Sequence, residues 1–285
     1  MSMIEARLKS YLRKLDKPLD PKLADEFAEA CKRAIVRQLS SEGKDKAFSI
    51  RLSQIGKPVC QQQFEKLGIQ GSEEDYNLPI KFLLGDLVEA ILITLLKASG
   101  VNVTEEQQEV GLKVAGSEIK GTLDIVVDNK VYDIKSCSGY AFEKKFGAGF
   151  QQVLAEDAFG YVPQLFAYAE AKDMKAGGWV VINKETGQVG VCEVPVASNA
   201  YKKDALALIE KNFKILKDTT DVSQVERCFQ PEPETYYGKP TGKLVLNRNC
   251  GYCKFKEQCW GDRLSYEENK YSKAKEKQMK YYVKE

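Results

Sequence analysis

The stretch from Lys81 to Ala98, KFLLGDLVEAILITLLKA, constrains the fold more than any other part of this chain. It contains no proline, spans about five helical turns and is apolar almost all round, so it predicts a buried helix. Three strand-like runs follow it, at 107–116, 119–127 and 130–136, with Asp128-Asn129 as a pair suited to a tight turn between the last two. A helical stretch over 150–172 comes next, then GGWVVIN (177–183) and VGVCEVPV (189–196) as a hairpin around KETGQ, then an amphipathic helix over 198–217. A helix, three strands, a helix and further strands is a mixed α/β order, and the expected architecture is a mixed central sheet flanked by helices. No Gly-rich loop stands where it could cradle a phosphate.

The flanking parts read differently. Residues 3–16 and 20–40 carry apolar positions at helical spacing, with Asp20-Pro21 as the start of the second helix. Residues 41–80 are polar and irregular, and 230–243, with three prolines, predicts a long loop. A cysteine-rich segment at 250–260 precedes a Lys-rich tail expected to be helical. At 285 residues the chain is long for one domain and short for two. The expected division is an N-terminal helical segment (1–47), a core (48–217) and a C-terminal part (218–285) holding the loop, the cysteine segment and the tail.

Composition prunes the chemistry. The chain has no histidine. That excludes Ser-His-Asp and Cys-His catalysis, His-containing zinc fingers, HExxH metalloproteases and His-ligated haem. Any general base or metal ligand must be a carboxylate, thiolate, amine, carbonyl or water. Lys and Arg number 43 against 41 Asp and Glu, so any nucleic-acid surface must be a local patch. The opening MSMIEARLKSYLRK has no apolar run of the signal-peptide kind, and the longest apolar stretch, Ile91 to Leu96, is too short for a bilayer. The expectation is a cytoplasmic protein with no membrane part, whose eight cysteines are reduced thiols and suggest metal binding before disulfides.

The most informative pattern is Gly121-Thr-Leu-Asp124 followed by Asp133-Ile-Lys135. If Asp128 and Asn129 form a two-residue turn, cross-strand partners have numbers summing to 257, which sets Asp124 opposite Asp133; a three-residue loop would break that opposition. Facing carboxylates destabilise a strand pair unless a cation lies between them. Lys135 projects from the same face. On the preceding apolar helix, Asp86 and Glu89 lie three apart on one stripe and also need a partner if buried. Two carboxylates on the hairpin and one on the helix make an oxygen-rich site suited to Mg²⁺ or Mn²⁺. Such an ion can activate a water and stabilise charge on a phosphodiester.

These residues resemble the RecB-like branch of the PD-(D/E)xK nuclease superfamily, with its restriction-endonuclease-like core. The motifs are Gly85 with Glu89 four places on, Gly121 to Asp124, Asp133 to Lys135, and Gln164-Leu-Phe-Ala-Tyr168. The resemblance implies a metal-dependent deoxyribonuclease, more an exonuclease than an endonuclease. It also implies Glu89, Asp124, Asp133 and the Ile134 carbonyl as metal ligands, and Lys135 orienting the water or stabilising the phosphorane. Gln164 and Tyr168 would contact substrate or the metal's surroundings, with Asp86 as an outer residue. Leu123 replaces the family's proline, and Glu89 stands where many relatives carry histidine. A nuclease of this size without a helicase region resembles phage-encoded and CRISPR-associated versions. The implied setting is the cytoplasm of a bacterial or archaeal cell or a phage-infected host, the implied partners are DNA and recombination or CRISPR adaptation proteins, and a homo-oligomer is open. The alternative is a catalytically silent DNA-binding or scaffold protein of the same fold.

Cys250-Gly-Tyr-Cys253-Lys-Phe-Lys-Glu-Gln-Cys259 has the spacing C-x2-C-x5-C and lacks a fourth ligand. Zinc sites usually pair two short knuckles, so this asymmetry favours an iron–sulfur cluster over Zn²⁺. With Cys60 as the distant fourth ligand, the pattern resembles AddB-type and CRISPR adaptation nucleases, which implies a structural [4Fe–4S] cluster. Cys228 is the competing fourth ligand, while Cys31, Cys137 and Cys192 read as small core residues. Lys144, Lys145, Tyr236, Tyr237 and the tail lysines from Lys270 to Lys284 are candidate DNA contacts.

Overall fold

The computed structural model describes residues 2–14, 18–40, 47–73, 76–251, 253–269 and 279–284. Helices α1 (Met3–Lys14), α2 (Pro21–Leu39), α3 (Leu52–Ile55), α4 (Val59–Lys66) and α5 (Leu78–Ala98) come first. Strands β1 (Val103–Val114), β2 (Ser117–Val127) and β3 (Lys130–Cys137) follow, then helices α6 (Phe150–Ala155) and α7 (Tyr161–Ala171), strands β4 (Lys175–Asn183) and β5 (Val189–Glu193), and helix α8 (Asn199–Asp218). The chain ends with β6 (Glu232–Tyr236), β7 (Lys239–Val245), α9 (Arg248–Gly251), α10 (Lys256–Trp260), β8 (Leu264–Glu268) and β9 (Met279–Val283). Two compact units result, one of residues 1–57 and 76–214, the other of residues 58–75 and 215–285.

The first unit is a five-stranded sheet in the order β1-β2-β3-β4-β5, flanked by helices. β3 and β4 run parallel and every other pair is antiparallel, so the sheet is mixed, as the order of elements predicts. Asp128 and Asn129 have φ of 47° and 63°. Two left-handed residues at a two-residue turn match the right-handed twist of the strands they join. The turn sets the expected register, with Ile125 on Tyr132, Val126 on Val131 and Val127 on Lys130. Leu92, Ile93 and Leu96 of α5 close the core over Ile125, Val127, Tyr132, Ile134 and Val180, joined by Ile4 and Leu8 of α1. Asp20 caps α2 by accepting from Lys22 N at 2.9 Å, with Pro21 at the first helical position.

Several expectations are corrected. α5 is buried only towards its C-terminal half, at Ala90, Leu92, Ile93 and Leu96, while Ile80, Phe82 and Leu84 are about half exposed. The stretch 150–172 is two helices, because Gly160 turns left-handed at φ 72° and Asp157 starts α7 by accepting from Tyr161 N and Val162 N, both at 2.7 Å. Residues 41–80 contain α3 and α4. The N-terminal helices belong to the first unit, where α2 packs on α5. Residues 58–75, expected in the core, belong to the second unit.

That second unit has its own four-stranded antiparallel sheet in the order β6-β7-β9-β8. The loop expected at 230–243 is the β6–β7 hairpin, turning at Tyr237 (φ 47°) and Gly238 (φ 75°), and β6 tolerates Pro233 as an edge strand. The expected helical tail supplies strands β8 and β9 instead; its residues 270–278 and 285 lie outside the described residues. The apolar cores here are small: Phe64, Cys253 and Phe255 in one, Leu246, Trp260 and Val283 in the other. Among the described residues no helix is long and apolar enough to cross a membrane.

Candidate active site and thiol cluster

The β2–β3 ladder ends at Ile125–Tyr132, one pair short of the two aspartates, while β3 stays paired with β4 from Lys130 to Cys137. Asp124 spans the gap: its Oδ2 accepts from Ile134 N at 2.7 Å. Asp133 is 1% exposed, and Lys135 Nζ lies 2.7 Å from each of its carboxylate oxygens. The Oδ2 of Asp133 is fully enclosed, and the ammonium does not meet it with hydrogen-bond geometry. Glu89 on α5 accepts from the amide of Gln107 on β1.

The electrostatics join these groups. Burial pushes Asp124 well above the usual carboxylate range, and the charges of Asp133 and Glu89 push it further. Asp133 is raised by burial, while Lys135 and the neighbouring Asp124 pull it back down. Burial, then Asp133 and Asp86, push Glu89 up to about 7. For Lys135, burial alone would lower the pKa, but Asp133 and Asp124 outweigh it and hold the ammonium protonated. Glu89, Asp124, Asp133 and Lys135 therefore lie within reach of one another's charges.

The remaining expected residues divide. Tyr168 is buried at 1% exposure, takes a 3.5 Å hydrogen bond from Gln164 Nε2, and feels the charges of Asp124, Asp133 and Lys135. Gly121 makes room for it, since a Cβ there would stand 2.8 Å from Tyr168 Cε1 and 2.8 Å from Leu52 Cβ. A Cβ on Gly85 would meet nothing within 4 Å, so that motif glycine answers no steric need. Asp86 ties α5 to α2, with Arg37 Nη2 at 2.6 Å and Gln38 Nε2 at 2.7 Å. Lys145, expected to meet DNA, is buried and donates to the Glu156 carbonyl at 2.8 Å. Lys144, Tyr236 and Tyr237 are exposed. Of the tail lysines, Lys270, Lys273, Lys275 and Lys277 lie outside the described residues.

Sequence reasoning missed Tyr161. Lys135 Nζ sits 5.1 Å and Lys145 Nζ 4.8 Å from the centre of its ring. The ring thus steers the Lys135 ammonium by cation–π attraction. The helix start that places it, Asp157 with Gly160, is a capping signal the reading of 150–172 as one helix concealed.

In the second unit Cys60 (α4), Cys228, Cys250 (α9), Cys253 and Cys259 (α10) line one small cavity of about 20 Å³. Both competitors for the fourth position are present: Cys60 N donates to Cys228 Sγ at 3.3 Å, and the Cys60 thiol hydrogen-bonds Cys228. Burial, then Cys253, Cys259 and Cys228, push Cys250 up to about 12. Phe64 stacks on Phe255 at 5.2 Å, and Arg227 donates to the Cys259 carbonyl at 2.8 Å while lying 4.4 Å over Trp260. Cys137 and Cys192 are buried and Cys31 is partly buried, and none of the three lines this cavity.

Among the described residues, no group of three or more Cys, Asp or Glu side chains stands arranged to hold a metal ion. At the carboxylates, Lys135 Nζ pairs with Asp133, Ile134 N donates to one oxygen of Asp124 and Gln107 Nε2 to one oxygen of Glu89. The donor chemistry nevertheless suits cations at both places. Asp133 and Glu89 raise Asp124 beside an enclosed oxygen of Asp133, and the five cysteine sulfurs are soft donors around a space the size of one ion.

No protein-family model matches the chain, and no curated protein matches it. Among solved structures, the protein SSO0001 is similar at 18% identity and a TM-score of 0.44, covering 80% of this chain and 93% of that one. A protein from Eubacterium rectale, provisionally described as an exonuclease, is similar at 15% identity and a TM-score of 0.40, covering 66% of this chain and 89% of that one. Likenesses this distant assign no residue a role.

Proposed function

We propose that the chain is a divalent-metal-dependent deoxyribonuclease, an exonuclease in preference to an endonuclease, that hydrolyses phosphodiester bonds in DNA processing or recombination. The observation that carries this reading is the meeting of Glu89, Asp124 and Asp133 with Lys135 on one hairpin and its neighbouring helix. Burial disfavours the charge on all three carboxylates and the charges of Asp133 and Glu89 raise Asp124 further, so a divalent cation beside Lys135 would favour their ionised forms. Glu89, Asp124, Asp133 and the Ile134 carbonyl would hold Mg²⁺ or Mn²⁺, which supplies Lewis-acid charge at the scissile phosphate.

The chain's own residues do the rest. Lys135 keeps its proton at neutral pH, so it serves as a fixed positive charge that orients water and stabilises the phosphorane, and not as a base. Tyr161 steers that ammonium. Tyr168 and Gln164 form the wall beside Asp124. Exposed Lys144, Tyr236 and Tyr237 are proposed to hold the DNA backbone and stack on bases.

For the thiols we propose a structural [4Fe–4S] cluster on Cys60, Cys250, Cys253 and Cys259. The small cores of the second unit leave it in need of such a staple. The space of about 20 Å³ favours the alternative of a single Zn²⁺, which demands less movement of the side chains. A brown protein whose visible absorbance is lost in Cys60→Ala supports the cluster; a colourless protein with stoichiometric zinc supports the ion.

A catalytically silent DNA-binding or scaffold protein is the second reading, favoured by one observation: the Lys135–Asp133 pair already neutralises the hairpin. Cleavage of end-labelled single- and double-stranded DNA with Mn²⁺ separates the two. Loss of cutting in Asp124→Ala and Lys135→Ala supports the nuclease. No cutting by the wild type with any divalent ion, or unchanged cutting in both variants, overturns it.

A further inference from the structure

Gln107 has a left-handed backbone inside a strand. Its φ is 48°, between Glu106 and Gln108, which pair normally with Ile125 and Leu123. The other non-glycine residues of positive φ among those described, Ala115, Asp128, Asn129, Asp173 and Tyr237, all lie in turns. Glutamine has no local reason for this conformation, being neither glycine nor a short Asn or Asp side chain that bonds its own backbone. Strain of this kind persists where the surroundings over-determine it, and it concentrates at functional sites.

The surroundings here are the carboxylates. The register of β1 on β2 sets Gln107 at the position facing Asp124, and its amide Nε2 donates to Glu89 Oε1 on α5. We propose that Gln107 is a positioning residue: β1 accepts a strained backbone so that the amide holds the Glu89 carboxylate in place beside Asp124 and Asp133. The inference rests on the nuclease reading above. A neutral donor suits the task, because it orients the carboxylate without adding a charge. A lysine at 107 would compete with a bound cation, and a glutamate would repel Glu89. Amide and backbone donors that orient a ligating carboxylate are a common requirement of metal sites.

The test uses the full-length chain and two variants, Gln107→Gly, which relieves the backbone and removes the amide, and Gln107→Asn, which tolerates positive φ with a shorter reach. Mn²⁺ binding is followed by the electron paramagnetic resonance of the free ion, counting only the binding that Asp124→Ala abolishes, and thermal unfolding is measured without metal. The expected result is that Gln107→Gly unfolds at or above the wild-type temperature yet binds Mn²⁺ about 10- to 100-fold more weakly, with Gln107→Asn weakened in the same direction. Wild-type affinity in Gln107→Gly would overturn the inference and leave the nuclease reading standing. A lower unfolding temperature would overturn it too, since the residue would then serve the strand. A wild type that binds no Mn²⁺ at the carboxylates removes the metal reading and this inference with it.

Discussion

The carboxylate of Asp124 hydrogen-bonds the backbone N–H of Ile134 at 2.7 Å, in place of the strand pairing that stops one residue earlier. A side chain thereby does the work of a main-chain acceptor and is locked against the two residues, Asp133 and Lys135, that flank Ile134. Asp124→Asn can keep an acceptor for that N–H while losing the charge. Burial, Asp133 and Glu89 all disfavour the charge, so in metal-free buffer this variant is expected to unfold at a higher temperature than the wild type and to cut DNA at least about 100-fold more slowly. Asp124→Ala orphans the N–H as well and should lose about 1–3 kcal/mol relative to Asp124→Asn. Equal stability of the two variants would show that the hydrogen bond contributes nothing.

Lys135 and Asp133 form a pair in which the acid is almost wholly enclosed. Lys135→Met leaves Asp133 buried without its counter-ion and should cost about 3–5 kcal/mol in metal-free buffer. Adding Asp133→Asn to Lys135→Met removes the orphaned charge and should restore most of that stability without restoring any cleavage. Chemical denaturation of the two single variants and the double variant checks this, and additive losses would contradict it.

Glu89 makes metal-free stability depend on pH. Its folded-state pKa of about 7 lies above the ordinary 4.5, so the folded protein binds this proton more tightly than the unfolded chain does. The contribution is complete below pH 4.5 and is lost as the pH rises through about 7. The unfolding temperature of the wild type should therefore fall across that window by more than that of Glu89→Gln, and saturating Mg²⁺ should abolish the difference. With no histidine in the chain, no imidazole titrates in the same window to obscure the step. Parallel profiles for the two proteins without metal would contradict the assignment.

At the thiols, Cys60 and Cys228 compete for one place. Cys60→Ser should abolish bound metal, whereas Cys228→Ser should retain it, because Cys60 is buried on α4 beside Phe64 while Cys228 is exposed. Metal analysis with visible absorbance reads this directly, and the reverse pattern would assign the ligand to Cys228. A chelator should open residues 58–75 and 215–285 to proteolysis before the five-stranded sheet, since their apolar cores are small.

Gly121→Ala would drive a Cβ to 2.8 Å from both Tyr168 and Leu52. We expect a loss of about 1–3 kcal/mol and a fall in activity as Tyr168 moves. Gly85→Ala, at a position open to space, should gain or lose little; calorimetry of the two variants makes the comparison.

The sequence by itself determined what short-range geometry controls. Strand alternation and the Asp128-Asn129 turn, with both residues able to take positive φ, set the register that brings Asp124 and Asp133 to adjoining places, and Lys135 follows from the same alternation. About five turns of apolar helix and the order of strands sufficed for the mixed sheet. Local signals misled where they pointed the wrong way: prolines suggested a loop where β6 and β7 pair, and lysines suggested a helix where β8 and β9 form. Tertiary structure alone decided the contacts between distant segments. It turned Gln107 towards Glu89, set Tyr161 beneath Lys135, buried Lys145 and brought Cys60 and Cys228 to the same cavity. None of these leaves a periodic trace, because each depends on how elements pack after their own hydrogen bonds are made, and packing is selected by shape and burial across the whole fold.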